Sequence, residues 1–524
     1  MKKLFFLLFL SFIINVSAFS QTFEWLRTSP LDYEYNPGML QNSCCVDHDG
    51  NSYFFGLQEL ITLYNYAMGS HFIHKYDPQG NLLWSRSIEG AALADGIACD
   101  SDGDVYIFGR MYSGLNFWNE GSLQYSGNTT DAFLVRITSG GSFDWGNNLT
   151  SLQFGHGVAS GLDFNDQDEL YLAYYANSRS YILIYDTGGN LLQYVTQKMV
   201  PILSSIDIDA QGNVLAAGSC AGAESEFGGV PFPTNFIYNN YVVKYNPDLQ
   251  PLWVKYIEDI TCTFPQVKSD AAQGIYLAGS LLAETYFDTI RANGPEWVYD
   301  FYLARLDPMG NFLWVRECPE IITGDATVGM LEYLDTDAEG NALLTGITRG
   351  VIDWGNNITS HETNNYQDII IWNYSSDGVV NWVKTAGGAG YDNAHTIDYD
   401  PSGNIFITGV AGGTSVWDTI TYQSTDFIYP YLAKLSLPEL TTVPGMISQD
   451  QALVYPNPAS ERIFITTDRY TKYSLFNITG NMVMDGLLTT SPGEINIGKQ
   501  SPGLYFLTLE AGQQVPSYTL ITIY

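Results

Sequence analysis

Two kinds of short apolar segment alternate along most of the chain. The first kind starts at aspartates, turns at a glycine and continues as an apolar or aromatic run; its first copy spans residues 46–56. The second kind is an apolar run ending in a basic residue, then a turn, then a run centred on tryptophan; its first copy spans residues 72–84. Short apolar runs bounded by Asp, Pro and Gly turns are typical of β-strands. The pattern therefore predicts an all-β body.

Both segments recur along the chain. Further copies of the first kind lie at 100–109, 163–173, 207–218, 269–279, 335–346 and 398–409. Further copies of the second kind lie at 133–145, 182–194, 242–253, 302–314 and 370–382. A last copy, 431–436, stops before its tryptophan run. The missing run is found at the other end of the chain, where residues 23–27 match residues 82–86 and 312–316.

The aromatic centres of the second segments mark the length of the repeat. They are Trp25, Trp84, Trp145, Tyr194, Trp253, Trp314 and Trp382. Neighbouring centres are 49–68 residues apart, which is enough for the four short strands of one propeller blade. A β-solenoid would have a shorter period, and tandem sandwich domains would have a longer one. We therefore predict a seven-bladed β-propeller over residues 22–436, closed by the N-terminal strand, with the six tryptophans packing blade against blade.

The charge of the chain restricts the classes of partner that it can bind. The formal net charge is −34, from 56 acidic and 22 basic residues. Such an acidic surface repels phosphate backbones and anionic membranes, so we do not expect nucleic-acid binding. The charge is compatible with solubility outside the cell and with divalent cations.

The N-terminus has the pattern of a secretory signal peptide over residues 1–20. Lys2 and Lys3 precede an apolar run over residues 4–14, which is shorter than the roughly 20 residues that span a bilayer. Cleavage is predicted between Ser20 and Gln21, and cleavage after Ala18 is the alternative. No cysteine directly follows the apolar run, so a lipoprotein anchor is not indicated. We expect the protein to leave the cytoplasm.

The cysteines do not indicate a metal site. The chain contains Cys44, Cys45, Cys99, Cys220, Cys262 and Cys318. None of them forms a CxxC or Cys/His pattern with zinc-ligand spacing. Buried single thiols are the simplest interpretation, but export also permits one or two disulfides, whose pairing the sequence leaves open.

The pattern changes after Ser436. We predict a linker over residues 437–450, and then a small β-sandwich over residues 451–524, because short strands there alternate with Gly and Pro turns. The segments that stand out are Tyr455-Pro456-Asn457-Pro458, the turn of residues 477–481 with Gly480, and Gly503-Leu504-Tyr505.

These tail segments closely resemble the type A C-terminal sorting domain of the type IX secretion system. The resemblance implies interaction with the type IX machinery and passage across the outer membrane of a Gram-negative bacterium. It also implies removal of the tail, followed by attachment of the body to the outer-membrane surface or by release. The tail departs from the family at residues 519–524, where basic residues are usual and none is present.

The repeat of the body resembles the secreted SBBP-type β-propeller repeat. The resemblance rests on the D-x-x-G-N turns and on the K-[YL]-[DN]-x-x-G-x-x-x-W segments between residues 22 and 436. The copy at 163–173 departs from it, because Asn165-Asp166-Gln167-Asp168 replaces the glycine turn. The tryptophan segments are also similar to the docking motif of quinoprotein propellers, in which tryptophan packs blade against blade. The resemblance implies architecture and says little about activity.

No catalytic motif is found in the sequence. Nucleophile elbows, HExxH, Walker loops and strand-to-helix GxGxxG patterns are missing. His71 and His74 flank a predicted strand and could form a metal pair, but a hydrogen-bonded or solvent-facing histidine is the simpler interpretation. We predict no catalytic residues and no firm cofactor.

The aspartate-rich turns leave calcium open as a cofactor. Asp100, Asp102 and Asp104 place oxygen ligands at alternate positions, as a calcium loop does. The twelfth-position glutamate of an EF-hand is missing there, and Asp and Gly also serve ordinary hairpin turns. Turn formation is the preferred interpretation of these acids.

Function is inferred from architecture, export and composition. Exposed loops on a rigid ring, with abundant Tyr and Trp, favour a secreted or surface-displayed binding or adhesion protein, with a glycan or a protein as ligand. The alternative is an extracellular polysaccharide hydrolase or lyase with paired carboxylates in the propeller channel. A purely structural surface role is a third hypothesis. The sequence does not name the ligand or the oligomeric state.

Overall fold

The computed structural model divides the chain into a body, Met1–Leu437, and a tail, Pro438–Tyr524. It describes residues 21–29, 41–63, 66–127, 130–151, 154–220, 224–260, 262, 264–294, 300–319, 324–360, 366–436, 453–455, 459–466, 472–477, 482–490, 492–501, 503–510 and 517–523. The predicted signal peptide with Ser20, the linker 437–450, and Pro456, Asn457, Pro458 and Gly480 lie outside these residues. The described residues form β-strands and one short 3-10 turn, Leu149–Ser151. The all-β prediction is confirmed.

The body consists of antiparallel groups of four strands, each numbered here from its first to its fourth strand. Group 1 contains β2 (Asn42–Val46), β3 (Ser52–Leu63), β4 (Tyr66–Tyr76) and the first half of β5 (Leu82–Cys99). Group 2 contains the second half of β5, β6 (Val105–Met111), β9 (Asp131–Ile137) and β10 (Phe143–Asn148). Group 3 contains β11 (Val158–Phe164), β12 (Leu170–Ala176), β13 (Arg179–Tyr185) and β14 (Leu191–Lys198).

The same pairing continues through the second half of the body. Group 4 contains β15 (Ile202–Ile208), β16 (Val214–Cys220), β19 (Asn239–Tyr245) and β20 (Pro251–Glu258). Group 5 contains β21 (Gln266–Ser269), β22 (Ile275–Leu281), β25 (Asp300–Leu306) and β26 (Phe312–Glu317). Group 6 contains β28 (Leu334–Thr336), β29 (Ala342–Arg349), β32 (Asp368–Tyr374) and β33 (Val380–Gly388), and β27 (Asp325–Val328) also pairs with β29. Group 7 contains β34 (Asn393–Tyr399), β35 (Asn404–Trp417), β36 (Ile420–Ser436) and β1 (Thr22–Thr28).

Small hairpins project between the second and third strands of several groups. They are β7 (Leu115–Phe117) with β8 (Gly121–Leu123), β17 (Glu226–Phe227) with β18 (Val230–Pro231), β23 (Thr285–Phe287) with β24 (Ile290–Ala292), and β30 (Ile352–Gly355) with β31 (Ile358–Ser360). In group 7 the adjoining ends of β35 and β36 form the equivalent hairpin, with Trp417 opposite Ile420.

The last group is completed by the first described strand of the chain. β1 pairs antiparallel with β36, so that Trp25 lies opposite Lys434 and Thr28 lies opposite Tyr431. The backbone N–H of Phe23 also donates to a carboxylate oxygen of Asp418 at 2.9 Å. The N-terminal strand therefore belongs to the same sheet as the last strands of the body.

The hydrophobic core lies between successive groups, at interfaces that we call junctions and number by their groups. Junctions 1/2 to 6/7 each contain one buried cluster with side chains from both groups. A further cluster joins group 7 to group 1 and contains Trp25, Phe406, Phe54 and Phe72. The first strands of neighbouring groups are also in contact, and β34 contacts β2. Each group buries both faces of its sheet, which explains the nearly continuous apolar runs of its middle strands.

The aspartate turns of the repeat have a common geometry. In the first of them, Asp47 Oδ1 accepts the backbone N–H groups of Asp49 and Asn51 at 3.1 and 2.8 Å, and Asn51 Nδ2 donates back to Asp47 at 2.9 Å. The glycine between them, Gly50, has a φ of 78°, which favours glycine over other residues. This explains the D-x-x-G-N pattern as a turn that satisfies its own polar groups.

The basic residue of the third strand pairs with an aspartate of this turn in several groups. Lys75 lies 3.2 Å from Asp47, and Lys244 lies 2.7 Å from Asp209. Arg305 pairs in the same way with Asp270. The charges are buried, so each pair links two strands of one sheet and compensates the desolvation of both partners.

The tail contains two small sheets around one core. One sheet has the order β37 (Leu453–Tyr455), β38 (Arg462–Thr466), β41 (Gly493–Asn496). The other has the order β40 (Met482–Leu487), β39 (Lys472–Asn477), β42 (Gly503–Glu510), β43 (Ser517–Ile523). Their shared cluster includes Ile463, Ile465, Leu475 and Leu507, which is the packing of a β-sandwich.

Two of the cysteines form a disulfide. Cys45 of β2 is bonded to Cys99 of β5, while Cys44, Cys220, Cys262 and Cys318 are free. Single thiols were the simplest prediction from the sequence, and for Cys45 and Cys99 that prediction was wrong. The two cysteines lie 54 positions apart and meet only because the first strands of groups 1 and 2 are neighbours. In the described part of the chain, no helix is long and apolar enough to cross a membrane.

Candidate functional site

Five of the predicted tryptophans lie against the following group in one recurring arrangement. Each indole N–H donates to a carbonyl in the next turn between a third and a fourth strand. The donor and acceptor pairs are Trp25 and Pro78 (3.2 Å), Trp84 and Ser139 (3.0 Å), Trp145 and Thr187 (2.9 Å), Trp253 and Pro308 (3.2 Å), and Trp314 and Ser376 (2.9 Å). Trp382 packs with the core cluster of junction 6/7. Group 7 offers it no such turn, because its third and fourth strands come from opposite ends of the chain.

The turn glycine and a basic residue complete this contact. A Cβ atom on Gly80 would lie 2.9 Å from the Trp25 ring, and Gly80 has a φ of 77°. Both the close approach and the positive φ require glycine. Arg27 Nε donates to the Gly80 carbonyl at 2.6 Å, and its guanidinium lies 5.1 Å from the Trp25 ring centroid. The W-x-R motif thus binds one group to the turn of the next.

Junction 3/4 lacks this arrangement. The prediction for Tyr194 is wrong, because Gln193 takes the position of the tryptophan, four residues after the turn glycine of its group, and is exposed. The ring of Tyr194 packs on Phe154 instead, with ring centroids 5.1 Å apart. The glycine position of the facing turn is taken by Leu249, which has a φ of 58° and is buried. The leucine side chain fills space that a larger indole occupies elsewhere, and a cavity of about 330 Å³ remains beside Tyr194, Thr196 and Gly228.

The calcium candidates are engaged by protein donors. Asp100 Oδ1 accepts the backbone N–H groups of Asp102 and Asp104 at 3.1 and 2.8 Å. Asp104 accepts from Arg136 at 2.5 Å and from the Ser139 N–H at 2.6 Å, and Asp102 is exposed. Among the described residues, no group of three His, Cys, Asp or Glu side chains could hold a metal ion. Calcium at this turn stays a prediction.

The two candidate histidines serve packing. His71 is buried and stacks on Phe55 with ring centroids 5.2 Å apart, while His74 stacks on Phe72 at 4.6 Å. Burial lowers the pKa of each imidazole to about 4. Both rings are therefore neutral at physiological pH.

A polar cavity of about 170 Å³ lies among the first strands. Its lining includes one residue from most groups at the same repeat position, two residues before the turn aspartate. These residues are Cys45, Ala98, Asp163, Lys268, Asp335 and Asp398. Glu332 also lines the cavity, and Lys268 lies 3.6 Å from Asp207. In groups 6 and 7 the first aspartate of the D-x-D segment, Asp335 or Asp398, thus lines the cavity, whereas the second forms the turn.

Burial sets the protonation of this acidic cluster. It raises the pKa of Glu332 to about 7, although Lys268 lowers it in part. Burial also raises the pKa values of Asp163, Asp335 and Asp398. Burial opposes the charge of Lys268, but Asp207 and Asp163 hold the pKa of its ammonium above the ordinary value. The cluster therefore holds protons near neutral pH around the partly exposed cation of Lys268.

Three of these carboxylates link neighbouring groups. Asp163 accepts the backbone N–H of Ile208 at 2.8 Å, and Asp207 accepts that of Ser269 at 2.8 Å. Asp398 accepts that of Val46 at 2.7 Å and so joins group 7 to group 1. The Cys45–Cys99 disulfide joins groups 1 and 2 at the equivalent pair of positions. The cluster consequently has a structural task, which explains why these acids recur.

A different set of side chains surrounds one end of the first strands. Residues from several groups line a second cavity of about 150 Å³, including Asp95, Arg110, Tyr175, Phe264 and Met330. We call this end of the body the mouth. Arg110 binds Asp95 through Nε at 2.9 Å and through Nη2 at 2.5 Å. Burial raises the pKa of Asp95, and Arg110 lowers it in part, so the guanidinium is held in a fixed orientation.

Large apolar side chains are exposed around the mouth. Phe264 is 48% exposed and Met330 is 39% exposed. Antiparallel pairing places the end of each second strand beside the start of its first strand, so the loop after β16 emerges at the same end. That loop carries Phe236, Ile237 and Tyr238, which are 40%, 68% and 61% exposed. Sequence reasoning missed this set, because loop residues of different groups follow no common motif.

The tail can be compared with a known family. Residues 453–523 match the family described as "Secretion system C-terminal sorting domain", so the predicted sorting domain is confirmed. Tyr455 is exposed and stacks on Phe464, and the hydroxyl of Tyr505 donates to the Ser501 carbonyl at 2.7 Å. A type IX sorting domain implies an exported protein that is secreted or displayed at the cell surface.

The body has more distant relatives. The chain is 27% identical over 148 residues to an uncharacterised WD repeat-containing protein of Acanthamoeba polyphaga mimivirus. The match covers 26% of this chain and 10% of that protein. Among solved structures the chain is similar to a catalytically inactive virginiamycin B lyase from Staphylococcus aureus, with 11% identity, a TM-score of 0.41, and coverage of 79% of this chain and 99% of that one. It is also similar to the Neurospora crassa Pan2 WD40 domain, with 11% identity, a TM-score of 0.33, and coverage of 66% and 90%. These likenesses are too distant to decide the function.

Proposed function

We propose that the chain is a secreted or surface-displayed seven-bladed β-propeller that binds a glycan or protein ligand at its mouth. The four-strand groups are the blades, and β1 clasps the ring. This architecture is supported by the pairing of β1 with β36, by the contact between β34 and β2, and by the buried cluster that joins group 7 to group 1. Residues 1–20 are the export signal, removed before Gln21.

The exposed mouth is the observation that carries the binding function. Phe264 and Met330 offer apolar surface to solvent beside the fixed guanidinium of Arg110. Exposed aromatic side chains around a few oriented polar groups are typical of binding surfaces. The loops of this end also differ in length and composition between groups, as expected where a rigid scaffold carries a binding surface.

Binding is favoured over hydrolysis. The carboxylates in and beside the acidic cavity are engaged by Lys268 or by the backbone of neighbouring strands. Asp163, Asp207 and Asp398 also accept backbone N–H groups of the next strands. A carboxylate used to join strands is not available to a sugar chain.

Binding can be tested with the full chain on glycan arrays and on panels of matrix proteins. We expect the Phe264→Ser variant to lose about tenfold in affinity for the captured ligand, a change of about 1.4 kcal/mol. Leu83→Ser is the matched control, because Leu83 is 52% exposed and does not line the mouth. Equal binding by both variants would contradict the site, and release of sugar products by the wild type would favour the hydrolase.

Export can be tested in a bacterium that has type IX secretion. The full chain is expected at the cell surface or in the medium. A chain without residues 453–523 should stay inside the cell envelope, because it lacks the sorting domain. Equal secretion of both chains would contradict this route.

A further inference from the structure

The hairpins between second and third strands differ in how they contact the preceding group. At junction 4/5, Lys255 of β20 lies 2.9 Å from Asp288, in the turn between β23 and β24. At junction 6/7, Lys384 of β33 pairs with Asp418 in the equivalent turn. At junction 1/2, the guanidinium of Arg86 lies 5.7 Å from the ring centroid of Trp118. In each case a hairpin side chain covers the basic residue of the W-x-[KR] motif.

Junction 5/6 has the basic residue without this cover. In its hairpin, three residues separate Trp354 from the start of β31. Three residues likewise separate Phe117 from the start of β8, so the two hairpins can be aligned position by position. Gly355 stands where the other hairpin has Trp118. A Cβ atom on Gly355 would meet nothing within 4 Å. A cavity of about 450 Å³ opens there, beside Arg316 and Asn356.

The lining of this cavity combines apolar walls with donors and acceptors. Val315, Pro319, Trp354 and Val380 are apolar, while Arg316, Glu317 and Asn356 are polar. Arg316 donates from Nε to the Gly378 carbonyl at 2.7 Å and from Nη1 to the Val315 carbonyl at 2.9 Å. Its Nη2 donates to the Asp377 carbonyl at 3.4 Å, so two of its five N–H groups have no acceptor in the described part of the chain. Within the described residues Arg316 has no carboxylate partner, so N–H groups of the guanidinium remain for a ligand.

We infer that this cavity is a second binding site, for a neutral pyranose of an oligosaccharide. Sugar hydroxyls both donate and accept hydrogen bonds, so they can accept from Arg316, while the Asn356 amide can donate or accept. The Glu317 carboxylate is engaged by Asn293 and Gly294. The apolar walls suit the C–H face of a sugar ring. The net charge of −34 disfavours an anionic polymer. The volume lies within the range of about 300–1,000 Å³ of small-molecule sites.

The inference rests on the proposal that the body binds glycan, but it concerns a different site. Saturation-transfer NMR of the full chain with cellotriose, maltotriose and mannotriose tests it, with trigalacturonate as the anionic comparison. We expect transfer to at least one neutral trisaccharide and little to trigalacturonate. Gly355→Trp should reduce that transfer about tenfold, because an indole would cover Arg316 as Trp118 covers Arg86.

A matched control separates occupation of the cavity from damage to the fold. Gly127 also has a φ near 85° and nothing within 4 Å of a Cβ, so Gly127→Trp makes the same exchange away from the cavity and should keep full transfer. Asn356→Gly removes the amide without filling the cavity and keeps the φ of 52° accessible, so it should weaken transfer with little change in the melting temperature.

Each outcome decides between the two sites. Loss of transfer in Gly355→Trp but not in Phe264→Ser supports the second site. Loss in Phe264→Ser but not in Gly355→Trp overturns the second site and leaves the proposed function standing. No transfer to any neutral trisaccharide, or preference for trigalacturonate, overturns the inference.

Discussion

Junctions 7/1 and 3/4 use different side chains to pack one group against the next. At junction 7/1, Trp25 is 6% exposed, donates to the Pro78 carbonyl and packs against Gly80. At junction 3/4, the exposed Gln193 takes the tryptophan position, and Leu249 takes the glycine position of the facing turn. The first junction joins strands from the two ends of the body, whereas the second joins groups that follow each other directly along the chain.

The difference shows where the docking contact matters most. Groups 3 and 4 are held beside each other by a short connection between β14 and β15, so a weaker contact is tolerated there. Group 7 is completed only when residues 22–28 return to β36. Closing so long a loop costs conformational entropy, and buried aromatic contacts have to offset it. We therefore expect junction 7/1 to be the more sensitive of the two.

Deletion of residues 22–28 should have the largest effect. It removes the partner strand of β36 and the buried side chains of Phe23 and Trp25. The unfolding free energy should fall by more than the roughly 3–5 kcal/mol that one buried aromatic residue contributes. Thermal melting, with a chain beginning at Gln21 as the control, would measure it. An unchanged melting temperature would refute closure by β1.

A single substitution compares the two junctions directly. Trp25→Ala should cost about 3–5 kcal/mol, because it empties a buried site and removes a hydrogen bond. Gln193→Ala should cost about 0.5 kcal/mol or less, because the side chain in that position is exposed. Denaturant unfolding of both variants measures the difference. Equal losses would mean that the two junctions contribute alike.

Junction 1/2 extends the comparison to a covalent link. Replacing Cys45 and Cys99 by serine should lower stability by about 2–4 kcal/mol, as expected for removal of a disulfide. Cys220→Ser removes a free buried thiol and serves as the control for loss of a sulfur atom. Melting of the variants with and without reductant measures the effect. Reductant should destabilise only the proteins that retain Cys45 and Cys99.

The docking motif can be rebuilt at junction 3/4. Leu249→Gly should destabilise because it empties a buried position, and Gln193→Trp should destabilise because Leu249 occupies the space of the indole. The double variant should recover about 1–3 kcal/mol of the summed losses. A double-mutant cycle by denaturant unfolding measures the coupling. Additive losses would show that the two residues do not form one contact.

The smallest expected effect concerns the acidic cavity. The folded-state pKa of Glu332 is raised to about 7 from 4.5, so its contribution to stability is complete below pH 4.5 and is lost as the pH rises through 7. Glu332→Gln should therefore gain on the order of 1 kcal/mol relative to the wild type between pH 5 and pH 8. Unfolding at both pH values tests this. A relative loss at pH 8 would contradict the sign.

The strands and turns of the body could be predicted from the sequence, but the contacts between side chains of different groups could not. The D-x-x-G-N turns are local, since Asp47, Gly50 and Asn51 satisfy one another. The link between Cys45 and Cys99 was not predicted, because it depends on neighbouring strands from different groups. The cavity-facing role of Asp163, Asp335 and Asp398 could have been found from the repeat register, two residues before the first residue of the turn.

The sequence by itself determined the all-β character, the length of the repeat and the sorting domain of the tail. These features depend on residues close together in the chain, since strand periodicity and turn chemistry act over a few positions. Only the tertiary structure decided which side chains meet at the mouth, in the acidic cavity and beside Gly355. Those side chains are many tens of residues apart in the chain, and packing of whole sheets against each other brings them within reach.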